Sequence, residues 1–270
     1  MRKTAVLKEF CGHSGCRVLL CRAGRFRFVR KVSASPQYNG RLRRQMDKQA
    51  RFANPTIRTP HVIDCGERDG LFFFDMEHIE GLPLHAFMTF NTMHVVAPLF
   101  RQLVRFVRSN QDPCTVDMTG PIEEKLTAVA RAAELNGARY RTFCLEYDWS
   151  EVPAGYCHGD LTFENILVVD GELCFVDFLD SFLETPFVDL SKLMQDLLIM
   201  WSWRKHSRRP FVKNIQLYDE LLGSMSGKEH ALSQRLLVLN LLRALPYAWR
   251  PADRRFLAEA LDHLADRFSI

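Results

Sequence analysis

Two neighbouring segments decide the fold: YCHGDLTFENILV at residues 156–168 and LCFVDFLD at residues 173–180. Their apolar runs flank the dipeptide Asp170-Gly171, which is typical of a tight turn between antiparallel strands. The pattern therefore predicts a β-hairpin over residues 166–178, with polar residues at its open end.

Three of those polar side chains form a set that suits a bound triphosphate. Asn165 and Asp177 offer a neutral and an anionic oxygen, the kind of ligand that Mg²⁺ prefers. Asp160, five residues before Asn165, could orient a hydroxyl group or accept its proton. Phosphoryl transfer needs little more from a protein than such positioning and charge.

The elements around this hairpin change character along the chain. Residues 1–77 predict a small β-rich lobe, and residues 78–270 predict a larger helical lobe that contains the hairpin. In the first lobe the predicted strands span 3–10, 17–22, 26–33, 61–65 and 71–76, with one helix over 41–52. The last two strands form a hairpin with Asp69-Gly70 at its tip. In the second lobe the apolar spacing predicts helices over 95–107, 122–135, 190–203, 232–245 and 253–268.

At His158-Gly159-Asp160-Leu161 with Asn165, and again at Phe175–Phe178, the sequence resembles the aminoglycoside phosphotransferase and choline kinase group of the protein-kinase-like superfamily. That group has an HGD loop, an Asn five residues after the Asp, and a second Asp that opens the metal-binding segment. Residues 184–190 resemble the segment that follows, where an Asp, here Asp189, tends to be structural.

The resemblance implies an α+β, bilobal, protein-kinase-like fold with a small antiparallel β-rich N-lobe and a larger helical C-lobe. It implies a small-molecule kinase that moves the γ-phosphoryl group of ATP or GTP to a hydroxyl of a sugar, an amino-alcohol or an aminoglycoside. Asp160 would be the catalytic base, and Asn165 and Asp177 would hold Mg²⁺.

The N-terminal lobe has a loop and a lysine in the places where a kinase binds phosphates. The sequence Gly12-His13-Ser14-Gly15 lies between two predicted strands, so Gly12, Ser14 and Gly15 are expected to cover the nucleotide. Lys31 lies on the third strand, where the superfamily keeps a lysine for the α- and β-phosphates.

Two further nucleotide contacts follow from the same resemblance. The superfamily lysine is usually paired with a Glu on the next helix, but the only acid on helix 41–52 is Asp47. An ion-pair role and a solvated position both remain open for Asp47. Residues 76–81 resemble the segment that meets the adenine, so the backbones of Glu77 and His78 are expected to contact the base.

Composition excludes several other classes of protein. The formal net charge of +4 is the balance of +13 over residues 1–60, −14 over 61–199 and +5 over 200–270. No run of eighteen apolar residues predicts a membrane span, and the short apolar N-terminus predicts no signal peptide, so a cytoplasmic protein is expected. There is no GxxxxGK[ST] motif of a P-loop enzyme. Cys11, Cys16 and Cys21 could form a metal cluster or be small buried hydrophobes.

The acceptor and two other functional classes stay open. The basic stretch 204–209 disfavours a polycationic acceptor and favours a sugar, but it could also be a solvated turn. Choline-type acceptors need an aromatic cage, for which the candidates are Trp201, Trp203, Tyr218, Tyr247 and Trp249. The main alternative is a catalytically impaired nucleotide-binding or scaffold protein. An RNA or membrane binder is the third class; no nucleic-acid partner is expected.

Overall fold

The computed structural model describes residues 4–10, 15–132, 138–248 and 250–270. Its strands are β1 (Thr4–Phe10), β2 (Arg17–Ala23), β3 (Phe26–Val32), β4 (Ile57–Arg58), β5 (Val62–Arg68), β6 (Leu71–Glu77), β7 (Leu82–Pro83), β8 (Gln111–Val116), β9 (Val152–Gly155), β10 (Ile166–Val169) and β11 (Glu172–Phe175). Its α-helices are α1 (Asn39–Arg51), α2 (Leu84–Phe90), α3 (Met93–Ser109), α4 (Thr119–Ala132), α5 (Ala138–Leu145), α6 (Pro186–Ile199), α7 (Phe211–Gly223), α8 (Gly227–Ala244) and α9 (Pro251–Phe268).

The chain divides into two compact units. The first comprises Met1–Leu84 with Asn165–Asp180, and the second comprises His85–Glu164 with Ser181–Ile270. Most of the strands belong to the first unit and most of the helices to the second, which confirms the α+β class. The division into lobes 1–77 and 78–270 stays a prediction.

The first unit contains a five-stranded antiparallel sheet in the order β1-β2-β3-β6-β5. The hairpin between β5 and β6 turns at Asp69-Gly70, as predicted, and both residues have positive φ angles of 53° and 76°. Helix α1 covers this sheet, and Leu42 of the helix packs with Phe72, Phe74 and other apolar side chains of the strands.

On β3 the exposure of the side chains does not follow their hydrophobicity. Phe26 is 63% exposed, whereas Lys31 is only 4% exposed. Since alternate residues share a face, Lys31 lies on the same side of β3 as Val29, which packs against the core under α1. The alternation along the strand groups Lys31 with the exposed Arg25 and Arg27, and it gives no sign that α1 covers Lys31.

A second, small sheet in the same unit has the order β4-β11-β10-β7. The predicted hairpin is confirmed, with Ile166 opposite Phe175 and the turn at Asp170-Gly171. Both turn residues have positive φ angles, 51° and 84°, as a type I′ turn requires.

Helix α6 forms the centre of the second unit, where it packs against α3, α7 and α8. It begins at Pro186 because the side chain of Thr185 accepts a hydrogen bond from the amide of Phe187, and proline is favoured at the first helical position. The sequence predicted this helix from residue 190 and missed its first turn.

Strand β9 leads directly into the HGD segment, and its last residue has to be a glycine. Gly155 has a φ of 150°, and a Cβ atom there would collide with the carbonyl oxygen of Asn110. The close approach lets the amide of Tyr156 donate to that same oxygen.

Among the described residues, no helix is both long and apolar enough to cross a membrane.

Candidate active site

In the first unit the predicted phosphate lysine meets the predicted metal ligand. Lys31 Nζ lies 2.5 Å from Asp177 Oδ1 and 3.0 Å from Gln45 Oε1. The Lys31 side chain is 5% exposed and that of Asp177 is 47% exposed. Burial acts to lower the pKa of Lys31, but the Asp177 carboxylate more than offsets it and holds that pKa above its ordinary value.

Asn165 and Asp177 lie at the open end of the β10–β11 hairpin. The amide of Val176 donates to the carbonyl oxygen of Asn165 over 3.0 Å, so Asn165 lies opposite Val176, next to Asp177, just beyond the ends of the two strands. Asp177 has a φ of 64°, in the left-handed region that non-glycine residues seldom adopt. Such backbone strain is common where a side chain has to be presented to a ligand.

Helix α1 holds the segment that follows Asp177. Arg44 forms an ion pair of 2.9 Å with Asp180, and Lys48 donates to the carbonyl oxygen of Leu179. The contact with Arg44 supports a structural role for Asp180.

The acid that the sequence offered as the partner of Lys31 does not contact it. Gln45 takes that position on α1, and Asp47, two residues further on, lies about 200° around the helix axis. The ion pair of Lys31 is formed by Asp177 instead. A cofactor-binding role for Asp47 stays a prediction without a contact to support it.

The remaining predicted nucleotide contacts are only partly described. Gly12 and Ser14 lie outside the described residues. Gly15 has a φ of 74°, and a Cβ atom there would lie 3.3 Å from Cβ of Ala34. Glu77 ends β6, where its amide donates to the carbonyl oxygen of His61, and His78 is the first residue after the strand. Base contacts by Glu77 and His78 stay a prediction.

In the second unit the HGD segment is anchored from α6. Asp189 is fully buried and accepts hydrogen bonds from the amides of His158 (2.6 Å) and Gly159 (2.9 Å). The structural role expected for Asp189 is thereby confirmed. His158 is also fully buried, and its Nδ1 accepts from the amide of Asp160 over 3.3 Å.

The side chain of Asp160 forms an ion pair that the sequence did not predict. Lys192 Nζ of α6 lies 3.0 Å from Asp160 Oδ1, and the two side chains are 15% and 27% exposed. The available signal was the spacing of Asp189, Lys192 and Asp196, which places all three on one face of α6.

The end of the same loop is held by a buried carboxylate. Asp196 accepts from the amide of Phe163 (2.5 Å) and from the amide of Ser202 (2.7 Å). The hydroxyl of Ser202 accepts in turn from the amide of Glu164. Burial raises the pKa of Asp196 to about 7, although these hydrogen bonds act to lower it.

Glu164 and Arg204 form an ion pair, so Arg204 is not part of a solvated turn. Arg204 Nη1 lies 3.0 Å from Glu164 Oε1, and its side chain is only 4% exposed. Its guanidinium group also lies 4.2 Å from the ring centre of Trp201. Lys205, Arg208 and Arg209 are exposed, as a solvated turn requires.

The raised pKa of Asp196 predicts a pH-dependent stability. Between about pH 4 and pH 7 the folded protein holds a proton on Asp196 that the unfolded chain has released, so the contribution of Asp196 to stability falls as pH rises. Asp196→Asn carries no charge at any pH. We expect the unfolding free energy of the wild type, relative to this variant, to be about 2–3 kcal/mol lower at pH 8 than at pH 5.

Urea denaturation of both proteins at the two pH values measures this difference. Asp148→Asn is the matched control, because its exposed carboxylate has a pKa lowered by hydrogen bonds from Ser150 and stays ionised over this range. A wild-type advantage over Asp196→Asn that does not vary with pH would show that the buried carboxylate keeps its charge throughout.

The cysteines give no sign of a metal cluster where they are described. Cys16 and Cys21 are 5% and 1% exposed, as expected of small buried hydrophobes, and Cys11 lies outside the described residues. Within the described residues, no group of three or more His, Cys, Asp or Glu side chains is arranged to hold a metal ion.

The family model described as "Phosphotransferase enzyme family" matches residues 13–228. The chain belongs to that family, in agreement with the resemblance seen at the HGD segment. No curated protein matches the chain.

Solved structures share the fold at low sequence identity. A thermostable mutant of aminoglycoside phosphotransferase APH(4)-Ia, in a ternary complex with ADP and hygromycin B, has a TM-score of 0.66 at 13% identity, with 98% of this chain and 93% of that chain covered. A candidate fructosamine-3-kinase from Haemophilus somnus 129PT has a TM-score of 0.63 at 12% identity, with 96% of this chain and 92% of that chain covered. Aminoglycoside phosphotransferase APH(3'')-Id from Streptomyces rimosus, in complex with ADP and streptomycin, has a TM-score of 0.52 at 16% identity, with 94% of this chain and 93% of that chain covered.

Proposed function

We propose that this chain transfers the γ-phosphoryl group of ATP or GTP, bound with magnesium, to a hydroxyl group of a small molecule. The observation that carries the proposal is the contact of buried Lys31 with Asp177, together with the hairpin register that sets Asn165 beside Asp177. An amine, a carboxylate and an amide oxygen are what a metal-bound triphosphate needs from a protein. Membership of the phosphotransferase family and the ADP complexes of two structural neighbours support the same function.

In the proposed reaction the acceptor hydroxyl oxygen forms a bond to the γ-phosphorus. The bond between that phosphorus and the β,γ-bridging oxygen breaks, and the nucleoside diphosphate leaves. The hydroxyl proton passes to the carboxylate of Asp160, which later releases it to solvent. Lys31 is proposed to contact the α- and β-phosphates, with the backbones of Glu77 and His78 at the base.

Asn165 and Asp177 are proposed to hold the magnesium ion. Both supply hard oxygen donors, and the half-exposed carboxylate of Asp177 is accessible to an ion while its amine partner is buried. A bound magnesium ion would neutralise charge on the phosphate oxygens. Gly12, Ser14 and Gly15 are proposed to cover the phosphates.

A choline-type acceptor has the least support among the acceptors considered. Of the aromatic residues available for a cage, Trp203 and Tyr218 are only 1% and 3% exposed. One face of Trp201 is taken by Arg204, whose positive charge would repel a quaternary ammonium group. Tyr247 is exposed and Trp249 lies outside the described residues, so the rings that the structure describes do not make a cage.

A sugar hydroxyl is the acceptor that we favour. Lys192 brings a positive charge next to Asp160, and Lys205, Arg208 and Arg209 form an exposed basic loop in the same unit. The charge of Lys192 beside the proposed base disfavours the polycationic aminoglycosides and tolerates neutral or anionic sugars.

A panel of acceptors tests this proposal. The purified protein is incubated with ATP or GTP, with and without Mg²⁺, and with neutral sugars, acidic sugars, choline, ethanolamine or aminoglycosides. We expect magnesium-dependent release of diphosphate, with an equal amount of phosphorylated product, for one class of sugar. Nucleotide binding without turnover on any acceptor would overturn the proposal in favour of the catalytically impaired alternative.

A further inference from the structure

One face of helix α6 contacts the loop that carries Asp160 at three successive points. Asp189 binds the amides of His158 and Gly159, and Lys192 binds the carboxylate of Asp160. Asp196, one turn further along, binds the amide of Phe163. The first and third contacts hold the backbone. The second is different, because it is made to a side chain with a proposed chemical role.

The Lys192–Asp160 pair is not an ordinary surface ion pair. The Lys192 side chain is 15% exposed, on a helix that is otherwise almost entirely buried, and its Nζ also lies 3.4 Å from Gln195 Oε1. A lysine confined to this extent loses hydration and rotamer freedom. Exposed pairs contribute little to stability, whereas a confined one restricts the orientation of both partners.

We propose that Lys192 is a positioning residue for phosphoryl transfer, which it supports through Asp160. Its ammonium group holds Oδ1 in one orientation and favours the ionised carboxylate, which is the form that can accept the hydroxyl proton. A carboxylate has about four acceptor positions, so it can bind the lysine and the hydroxyl at the same time. This inference rests on the proposed function.

Several other titratable or charged groups of the loop and of α6 stay the same when Lys192 alone is replaced. On the loop these are His158 and Glu164, which pairs with Arg204 from the segment after α6, and on α6 they are the buried Asp189 and Asp196. Asn214 of α7 and Asn240 of α8 contact α6 with neutral side chains, which donate to the carbonyl oxygen of Asp196 and to the hydroxyl of Ser191. Removal of the amine therefore changes the charge at Asp160 and leaves these neighbours in place.

The test compares Lys192→Met, which removes the charge and keeps the length of the side chain, with Lys192→Arg, which keeps the charge. The readout is magnesium-dependent ATP hydrolysis, with water in place of the acceptor, over pH 4.5 to 9. For Lys192→Met we expect kcat to fall about 10- to 100-fold, with KM for ATP changed less than about 3-fold. The acidic limb of the kcat profile should move up by about one pH unit, and Lys192→Arg should restore both.

Lys213→Met is the matched control. Lys213 is also partly buried, but it donates to the carbonyl oxygens of Met88 and Asn91 and does not contact the loop. The Lys213→Met variant should leave the pH profile of kcat unchanged. If Lys192→Met fails to fold, as judged by circular dichroism and thermal melting, Lys192→Gln takes its place.

The inference on Lys192 is overturned, while the proposed function stands, if the wild type hydrolyses ATP and Lys192→Met keeps both the kcat and the acidic limb of the wild type. It is also overturned if arginine restores neither. A wild type that consumes no ATP with water or with any acceptor overturns the proposed function, and this inference with it.

Discussion

Replacement of Asp160 by Asn should lower kcat by about 10³-fold or more, while the affinity for the nucleotide changes little. General-base catalysis contributes about 10²- to 10⁴-fold, and an amide can still accept a hydrogen bond but cannot take the proton. The variant should fold normally, since Asn also offers an oxygen to Lys192. Steady-state kinetics on the identified acceptor, together with calorimetric titration of the nucleotide, measures both quantities.

Asp117→Asn is the control for the effect of removing a carboxylate from the second unit. Asp117 is exposed and accepts from the amide of Thr119, a contact that Asn can keep. Its kcat should equal that of the wild type. Near-normal turnover by Asp160→Asn would show that the base lies elsewhere.

Replacement of Asp177 by Asn should remove magnesium-dependent turnover almost completely. Metal stabilisation of a phosphoryl transition state contributes several kcal/mol, so its loss should cost at least about 10³-fold in kcat. The amine of Lys31 would keep Gln45 as a partner and lose its counter-charge. Because the amine of Lys31 is buried and only the carboxylate is half exposed, we expect the loss of the counter-charge to lower the unfolding free energy by about 1–3 kcal/mol.

Asp170→Asn tests whether this effect is specific to the metal ligand. Asp170 is an exposed residue of the same hairpin, and its φ of 51° suits asparagine equally well. The Asp170→Asn variant should keep the turnover and the unfolding free energy of the wild type. If Asp177→Asn kept turnover at ordinary magnesium concentrations, the assignment of the metal ligand would be wrong.

The hairpin and its polar ends could be predicted because their signals are local. Alternating apolar residues and the dipeptides Asp69-Gly70 and Asp170-Gly171 define both hairpins within a few residues. The register then follows from the turn, and it places Asn165 near Asp177 without any knowledge of the rest of the fold.

Contacts between distant elements could not be predicted in this way. The pairing of Lys31 with Asp177 joins residues 146 apart in sequence, and no local pattern distinguishes Gln45 from Asp47 as its helical neighbour. The position of Lys192 depends on which face of α6 meets the loop. That face is decided by packing against α3, α7 and α8.

Some helix starts were missed although their signals were present. Thr185-Pro186 marks the first turn of α6, and Ser226 with Glu229 forms the capping box that begins α8. Both signals consist of capping side chains and a proline, which the spacing of apolar residues does not register. Helix α7, over residues 211–223, was missed as well.

The most direct test of the account follows the phosphorus atom itself. Phosphorus NMR of the wild-type protein with ATP, Mg²⁺ and the acceptor found in the panel should show the γ-phosphate signal replaced by that of a phosphate monoester, with an equal amount of ADP. Asp160→Asn should leave the ATP signals intact over the same period. If the wild type left them intact as well, or released only inorganic phosphate with every acceptor, transfer to a small-molecule hydroxyl would be contradicted.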